Sequence, residues 1–194
     1  MLCGWLEALL LKTLCVVLLL CTLTVGQEAT PATSAAPPAA NPADVKSVDA
    51  ILGALYGVIS GPAGQARDWN RFRSLFISGA RLIPVSKNKE GNGYAPHVLS
   101  SDDYAERAKS AFDKQGFFER EVSRRTHRWA HIVEIFSVYE SRHEASDPKP
   151  FARGINSIQL MYDGGRWWIV TIMWEGETPT TKLPPRLLRK APQQ

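Results

Sequence analysis

Four titratable side chains in extended segments of this sequence could perform acid–base chemistry: Glu134, Glu140, His97 and His131. Glu134 and His97 are the candidate catalytic residues. Three apolar residues share the face of Glu134 in its segment, namely Ile132, Phe136 and Val138. A carboxyl group among apolar neighbours has a raised pKa, which suits a general base. An outward position beside an arginine, such as Arg120 or Arg153, would explain the same pattern without any catalytic role.

The sequence gives only a weak indication of a metal site. His127 and His131 are four residues apart, as in helical zinc motifs, but the residues between them lack the glutamate of the HExxH pattern. The segment is also typical of a strand. All three cysteines lie within the first 21 residues, and the sequence has no phosphate-binding glycine motif and no GxSxG motif. We therefore expect no metal ion and no cofactor.

Aromatic side chains could line a pocket for a flat or apolar ligand. The expected ligand-binding residues, in which Tyr56 and Asn156 supply orienting polar groups, are Tyr56, Tyr139, Asn156, Trp168 and Trp174. Core packing explains the same aromatic residues, because tryptophan buries a large area. The two interpretations are compatible if one end of the domain is packed and the other end is open.

The elements that position these residues centre on a hairpin near the C-terminus. Residues 151–162 and 166–175 have strand-like composition, and DGG at 163–165 supplies the turn. Alternation predicts an inner face on the second strand made of Trp168, Val170, Ile172 and Trp174. It leaves Trp167, Ile169, Thr171 and Met173 outside, and on the first strand it turns Asn156, Ile158, Leu160 and Tyr162 inward. A single β-bulge would reverse every side chain beyond it.

Helical periodicity predicts three helices, at about 44–60, 67–76 and 102–115. Strands are expected at 80–85, 94–99, 117–126 and 129–141, before the hairpin. This order predicts an α+β domain over residues 44–177, with helices packed on one face of a strongly curved, mostly antiparallel sheet of about six strands.

The N-terminal 26 residues are predicted to be a cleaved secretory signal peptide. Residues 13–25 are uncharged and rich in Leu and Val, and Thr24 and Gly26 suit a cleavage site. An uncleaved membrane anchor is the alternative. Residues 27–43 are rich in Pro and Ala, which is typical of a disordered linker, and residues 178–194 form a Pro-rich tail. We therefore expect an exported protein, periplasmic or extracellular.

The net charge of +4 is mild, and its arginine clusters are typical of solvated faces. We expect no nucleic-acid partner, and no membrane contact once the signal has been cleaved.

Four local segments resemble the NTF2-like superfamily, in particular its SnoaL-like branch: DWNRF at 68–72, FSVYE at 136–140, RGINS at 153–157 and GRWWIV at 165–170. The resemblance implies a cone in which a bent sheet wraps around three helices and encloses a pocket. It also implies that the outer sheet face pairs with a second copy, because many relatives dimerise there.

Ketosteroid-isomerase-like relatives use a carboxylate on an early strand, together with a tyrosine and a protonated aspartate. Tyr56 matches the expected tyrosine, but ARLIPV at 80–85 contains no carboxylate, and Asn156 stands where the second acid would be sought. The prediction is therefore a domain that binds a small apolar ligand and is not an isomerase of that kind. The alternatives are an isomerase- or dehydratase-like enzyme that uses Glu134 or His97, and a non-catalytic dimeric interaction module.

Overall fold

The computed structural model of the chain describes residues 36–189. Within that range the helices are α1 Pro42–Val45, α2 Val48–Ile59, α3 Trp69–Ser74, α4 Ser101–Phe112 and α5 Pro185–Leu188. The strands are β1 Phe76–Lys87, β2 Tyr94–Pro96, β3 Phe118–Trp129, β4 Ile132–Arg142, β5 Ala152–Tyr162 and β6 Trp167–Gly176. The predicted order of helices and strands is confirmed. The first predicted helix is divided at Ser47, whose side chain caps α2 by accepting a hydrogen bond from the Ala50 N–H.

The six strands form one open sheet in the order β2-β1-β6-β5-β4-β3. β1 runs parallel to β6, and every other neighbouring pair is antiparallel. The α+β class and the mostly antiparallel six-stranded sheet are therefore confirmed. A capping box between Ser100 and Asp103 begins α4, the helix that packs nearest the first strand.

Burial of apolar surface between the helices and one sheet face stabilises this arrangement. Ile51 on α2 and Phe72 on α3 are almost fully buried against the sheet residues Ile135, Ile158 and Ile169. Every residue of this core lies within the compact unit Ser34–Gln194. That unit thus contains the apolar contacts that its own folding needs.

A β-bulge at Val170 corrects the predicted faces of β6. The strand pairing shifts there, because Leu160 lies opposite Ile169 while Gln159 lies opposite Thr171. Trp167 and Ile169 are consequently buried, and the prediction that Trp168 and Val170 face inward is wrong. Beyond the bulge, Ile172 and Trp174 do face inward, as predicted. The inward positions predicted on β5 are confirmed.

The C-terminal segment returns across the sheet to β3. The Ser123 hydroxyl donates to the carbonyl of Leu187, and the Arg125 guanidinium donates to the carbonyls of Arg186 at 2.9 Å and Arg189 at 3.2 Å. The predicted signal peptide and most of the predicted linker lie outside the described residues. None of the helices in residues 36–189 has the length and apolar character needed to span a membrane.

Gly154 on β5 tests how closely this sheet is packed at the end that carries the candidate site. A Cβ atom at Gly154 would lie 2.3 Å from the carbonyl oxygen of Glu175 and 2.5 Å from the Tyr139 hydroxyl. We expect Gly154→Ala to lower the free energy of unfolding by roughly 1–3 kcal/mol in urea denaturation. The matched control is Gly53→Ala on the exposed side of α2, where a Cβ meets nothing within 4 Å. It should stabilise the protein by about 1 kcal/mol. Equal effects of the two substitutions would contradict the described packing.

Candidate functional site

A cavity of about 430 Å³ lies between the helices and the inner face of the sheet. Its walls are mainly apolar, with contributions from α2, α4 and five strands, and include Leu55, Ile59, Leu82, Phe112, Ile172 and Trp174. Most of the polar groups that line it come from the neighbouring ends of β3, β4 and β5, namely Glu119, Tyr139, Ser141 and Asn156, and α4 adds Tyr104 and Arg107. An apolar enclosure with a few convergent polar groups is typical of a small-molecule site.

Glu119 supplies the only carboxyl group among the residues that line this cavity. Burial raises the pKa of Glu119 to about 7 from its ordinary value of 4.5, although hydrogen bonds from Ser141 and Asn156 favour the charged form. The Ser141 hydroxyl donates to Glu119 Oε2 at 2.8 Å. The Glu119 backbone N–H donates to the Ser60 hydroxyl at 3.0 Å, which fastens this residue to the end of α2. The site therefore holds a carboxyl group that exchanges its proton near neutral pH.

A buried chain of hydrogen bonds lies behind the cavity wall. Asn156 Nδ2 donates to the Tyr56 hydroxyl at 3.1 Å, and Tyr56 Oη lies 2.7 Å from Ser137 Oγ. Because the Ser137 hydroxyl donates its one proton to Glu121 Oε2 at 2.5 Å, Tyr56 must donate to Ser137. This chain fixes the Asn156 amide at the cavity wall. Burial raises the pKa of Tyr56, so its hydroxyl remains protonated.

Two further tyrosines have hydroxyl groups available for a ligand. Within residues 36–189, neither the Tyr104 nor the Tyr139 hydroxyl forms a hydrogen bond to another side chain or backbone group. Burial raises the pKa of Tyr139 to about 12, and the negative charge of Glu119 adds to the shift. Both groups are therefore protonated donors at neutral pH.

Aromatic rings form one rim of the cavity. Phe112 and Phe117 stack with centroids 4.8 Å apart, and Phe151 lies 6.3 Å from Phe117. His143 stacks on Phe151 at 4.1 Å. These rings make this part of the cavity surroundings apolar, which favours an apolar ligand.

The predicted catalytic residues lie elsewhere. Glu134 is exposed on the outer sheet face, so its predicted position inside the cone is wrong. The alternative, in which it pairs with Arg120 or Arg153, is also not observed in the described residues. Arg120 pairs with Glu140 at 3.1 Å, and Arg153 pairs with Glu177 at 2.9 Å. His97 is exposed and does not line the cavity.

The predicted ligand-binding residues divide into three groups. Asn156, Tyr139 and Trp174 line the cavity, whereas Tyr56 lies one hydrogen bond behind Asn156. Trp168 is on the outer face, where its indole N–H donates to Asp163 Oδ2 at 2.6 Å. Across residues 36–189, no cluster of three or more His, Cys, Asp or Glu side chains could hold a metal ion.

Sequence reasoning missed Glu119, although one signal for it was present. Ser137, Tyr139 and Ser141 alternate along β4, and Asn156 lies across from Ser137 on β5. These positions make the inner face polar at one end of the sheet. A carboxyl group on the next strand is then expected to lie beside them.

The raised pKa of Glu119 predicts a pH dependence of stability. Between about pH 4.5 and pH 7 the unfolded chain ionises Glu119 while the folded chain keeps it protonated, so the folded state binds more protons. The contribution of Glu119 to the free energy of unfolding should therefore fall as pH rises through this window, by at most about 3 kcal/mol. Glu119→Gln should remove this fall in denaturant titrations at pH 4.5–8. Glu134→Gln, on the outer face, is the matched control and should keep it; a fall that persists in Glu119→Gln would contradict the assignment.

Comparisons with known proteins give matches among solved structures. No family model matches the chain, and no curated protein matches it. An NTF2-like protein of unknown function from Silicibacter pomeroyi is 16% identical with a TM-score of 0.47, over 68% of this chain and 94% of that one. An NTF2-like protein of unknown function from Methylobacillus flagellatus is 14% identical with a TM-score of 0.45, over 68% and 95%. A protein from Novosphingobium aromaticivorans, described provisionally as a scytalone dehydratase, is 13% identical with a TM-score of 0.41, over 60% and 75%.

These comparisons concern the fold and carry nothing over about activity. The helix-then-sheet architecture of this chain is the one that its sequence resemblance implied, and the matching structures include several NTF2-like proteins.

Proposed function

We propose that this domain binds a small, largely apolar molecule that carries at least one hydrogen-bonding oxygen. The observation that supports this most is the cavity of about 430 Å³ with the Glu119 carboxyl group in its wall. Small-molecule sites occupy about 300–1,000 Å³ and combine apolar walls with a few oriented polar groups. The cavity has both properties.

The polar groups suggest how the ligand would be oriented. Below about pH 7 the protonated Glu119 carboxyl can donate a hydrogen bond to a carbonyl or hydroxyl oxygen. Tyr139 and Tyr104 offer two more donors, and Asn156 lies on the same wall. A ligand oxygen near these groups would replace the hydrogen bonds that it made to water, while the rest of the molecule contacts Leu55, Phe112 and Trp174.

A large side chain that fills the cavity should strongly weaken ligand binding. We expect the neutral fluorophore N-phenyl-1-naphthylamine to bind the wild-type domain with enhanced emission, because its rings suit an apolar enclosure. Ala108 lines the cavity, so Ala108→Phe should weaken this binding at least about tenfold by occupying the space. Ala111→Phe places the same ring on the exposed side of the same helix and should bind as the wild type does. Equal affinity of both variants would contradict the proposal.

A second candidate function is general acid–base catalysis at carbon, and the pKa of about 7 at Glu119 favours it. In this case the ionised carboxylate removes a proton next to a ligand carbonyl, and a tyrosine hydroxyl stabilises the enolate oxygen. Deuterium exchange at the α-carbon of 2-tetralone, followed by NMR, measures this step directly. The rate should rise through about pH 7, fall at least about a hundredfold in Glu119→Gln, and remain in Glu134→Gln. Equal exchange by Glu119→Gln would exclude Glu119 as the base.

The compartment and the oligomeric state stay predictions from the sequence. The uncharged run at 13–25 supports export, with a retained anchor as the alternative. Phe136 and Met173, both exposed on the outer sheet face, support pairing with a second copy.

A further inference from the structure

One end of the sheet carries a row of large apolar side chains on its outer face, three of them exposed and Trp168 half-buried. We call it the end row: Trp129, Ile132, Met161 and Trp168, which are successive pairing partners on β3, β4, β5 and β6. Trp129 is 80% exposed, Ile132 60% and Met161 39%. Trp129 ends β3 directly before the turn residue Ala130, whose φ of 45° is in the left-handed region. The hairpin therefore holds an indole ring out in solvent at a defined position.

The end row is separated from the rest of the outer face. The next row of pairing partners is wholly polar and consists of His127, Glu134, Gln159 and Thr171. Apart from the half-buried bulge residue Val170 beside Thr171, apolar residues return only beyond it, at Phe136 and Met173. The end row is consequently a narrow strip and is not the edge of a larger apolar surface.

This strip is too small for a stable protein interface. Four strands at about 4.8 Å spacing give it a width of about 14 Å, and it is one residue deep. A stable complex buries about 800 Å² on each partner. A partner that contacts the strip alone cannot rely on a large buried area. A lipid bilayer needs no such area, because it accepts a few side chains at its interface.

Cationic side chains surround the same end of the domain. Lys46 and Arg128 line one shallow depression at this end, on the helix side of the sheet, and neither forms an ion pair with a described residue. The Arg166 guanidinium lies 3.5 Å from the ring centroid of Trp168. Three acids also lie near this end: Asp163 accepts hydrogen bonds from Trp168 and two backbone N–H groups, Asp49 pairs with Arg124, and Glu134 is exposed in the next row. Lys46 and Arg128 therefore remain available to an external anion.

We propose that the end row docks the domain on an anionic lipid surface. Tryptophan prefers the bilayer interface, where its ring is apolar and its N–H remains wet. Lys and Arg beside it are attracted to anionic headgroups within about a Debye length. The contact is peripheral, so it differs from a transmembrane anchor. It departs from the expectation, based on composition, that the mature chain makes no membrane contact.

The docked orientation leaves the cavity away from the lipid. Tyr139 lines the cavity and Ile132 belongs to the end row, and the two are seven residue steps apart on β4, or about 23 Å. Docking and ligand binding thus use opposite ends of the same strands. The lipid proposal therefore does not depend on the proposed function.

Vesicle co-sedimentation of the unit Ser34–Gln194 tests this proposal, since that unit contains the whole core and lacks the N-terminal apolar run. We expect binding to vesicles of phosphatidylcholine with one quarter phosphatidylglycerol, and much weaker binding to phosphatidylcholine alone. The double variant Trp129→Ala/Ile132→Ser should bind the anionic vesicles at least about tenfold more weakly. Lys46→Gln should weaken binding several-fold and reduce its salt dependence.

The matched control is Tyr94→Ala, which removes an exposed aromatic ring from β2, away from the end row, and should bind as the wild type does. Circular dichroism confirms that each variant is folded. Wild-type binding that is absent, or that is equal in the Trp129→Ala/Ile132→Ser variant, would overturn the proposal. So would a halving of the mass of the unit by light scattering in that variant, because the end row would then be a contact between copies.

Discussion

One buried hydroxyl group, that of Tyr56 on α2, forms hydrogen bonds to two strands of the sheet. It accepts a hydrogen bond from Asn156 on β5 and donates one to Ser137 on β4. A buried hydroxyl with both roles filled avoids the cost of an unsatisfied polar group, whereas any sliding of α2 would break both bonds. These two hydrogen bonds therefore fix the position of α2 relative to the sheet. The cavity depends on that position, because Leu55 and Ile59 of the same helix form part of its wall.

The same arrangement explains why the polar groups of the cavity lie at one end only. Apolar contacts fill the space between α2 and the sheet where Val133, Ile135, Ile158 and Leu160 lie. Toward the other end of β4 the inner face carries polar side chains. Close apolar packing there would leave these side chains without hydrogen-bond partners. Ser141 satisfies one oxygen of Glu119, and Ser60 holds its backbone. The carboxyl group is thus positioned by bonds on both sides while its charge is disfavoured by burial, a combination that suits both ligand orientation and proton transfer.

Sequence periodicity detects only local patterns, and this determines which parts of the structure can be predicted from the sequence. Helical spacing located α2 and α4, and the DGG turn located the hairpin of β5 and β6, because both signals are local. The bulge at Val170 left no local signal, since Trp167, Trp168, Ile169 and Val170 are all apolar and either face could have been buried. The sequence pattern favours Glu134 over Glu119 as the carboxyl group in the cavity for a related reason. Each has aromatic or apolar neighbours, and only the pairing with β4 and β5 determines which carboxyl group faces the cavity.

The bulge also bears on how this protein could change over evolutionary time. Deleting Val170 would restore regular pairing without reversing a face, because Ile169 would stay opposite Leu160 and Thr171 opposite Gln159. Trp167 would remain buried, and Ile172 and Trp174 would keep their places in the cavity wall. Loss of a regularly paired residue of β6 would instead turn the side chains on one side of it to the opposite face. The bulge is therefore a place where one codon can be lost while the packed end of the domain and the ligand site both keep their shape.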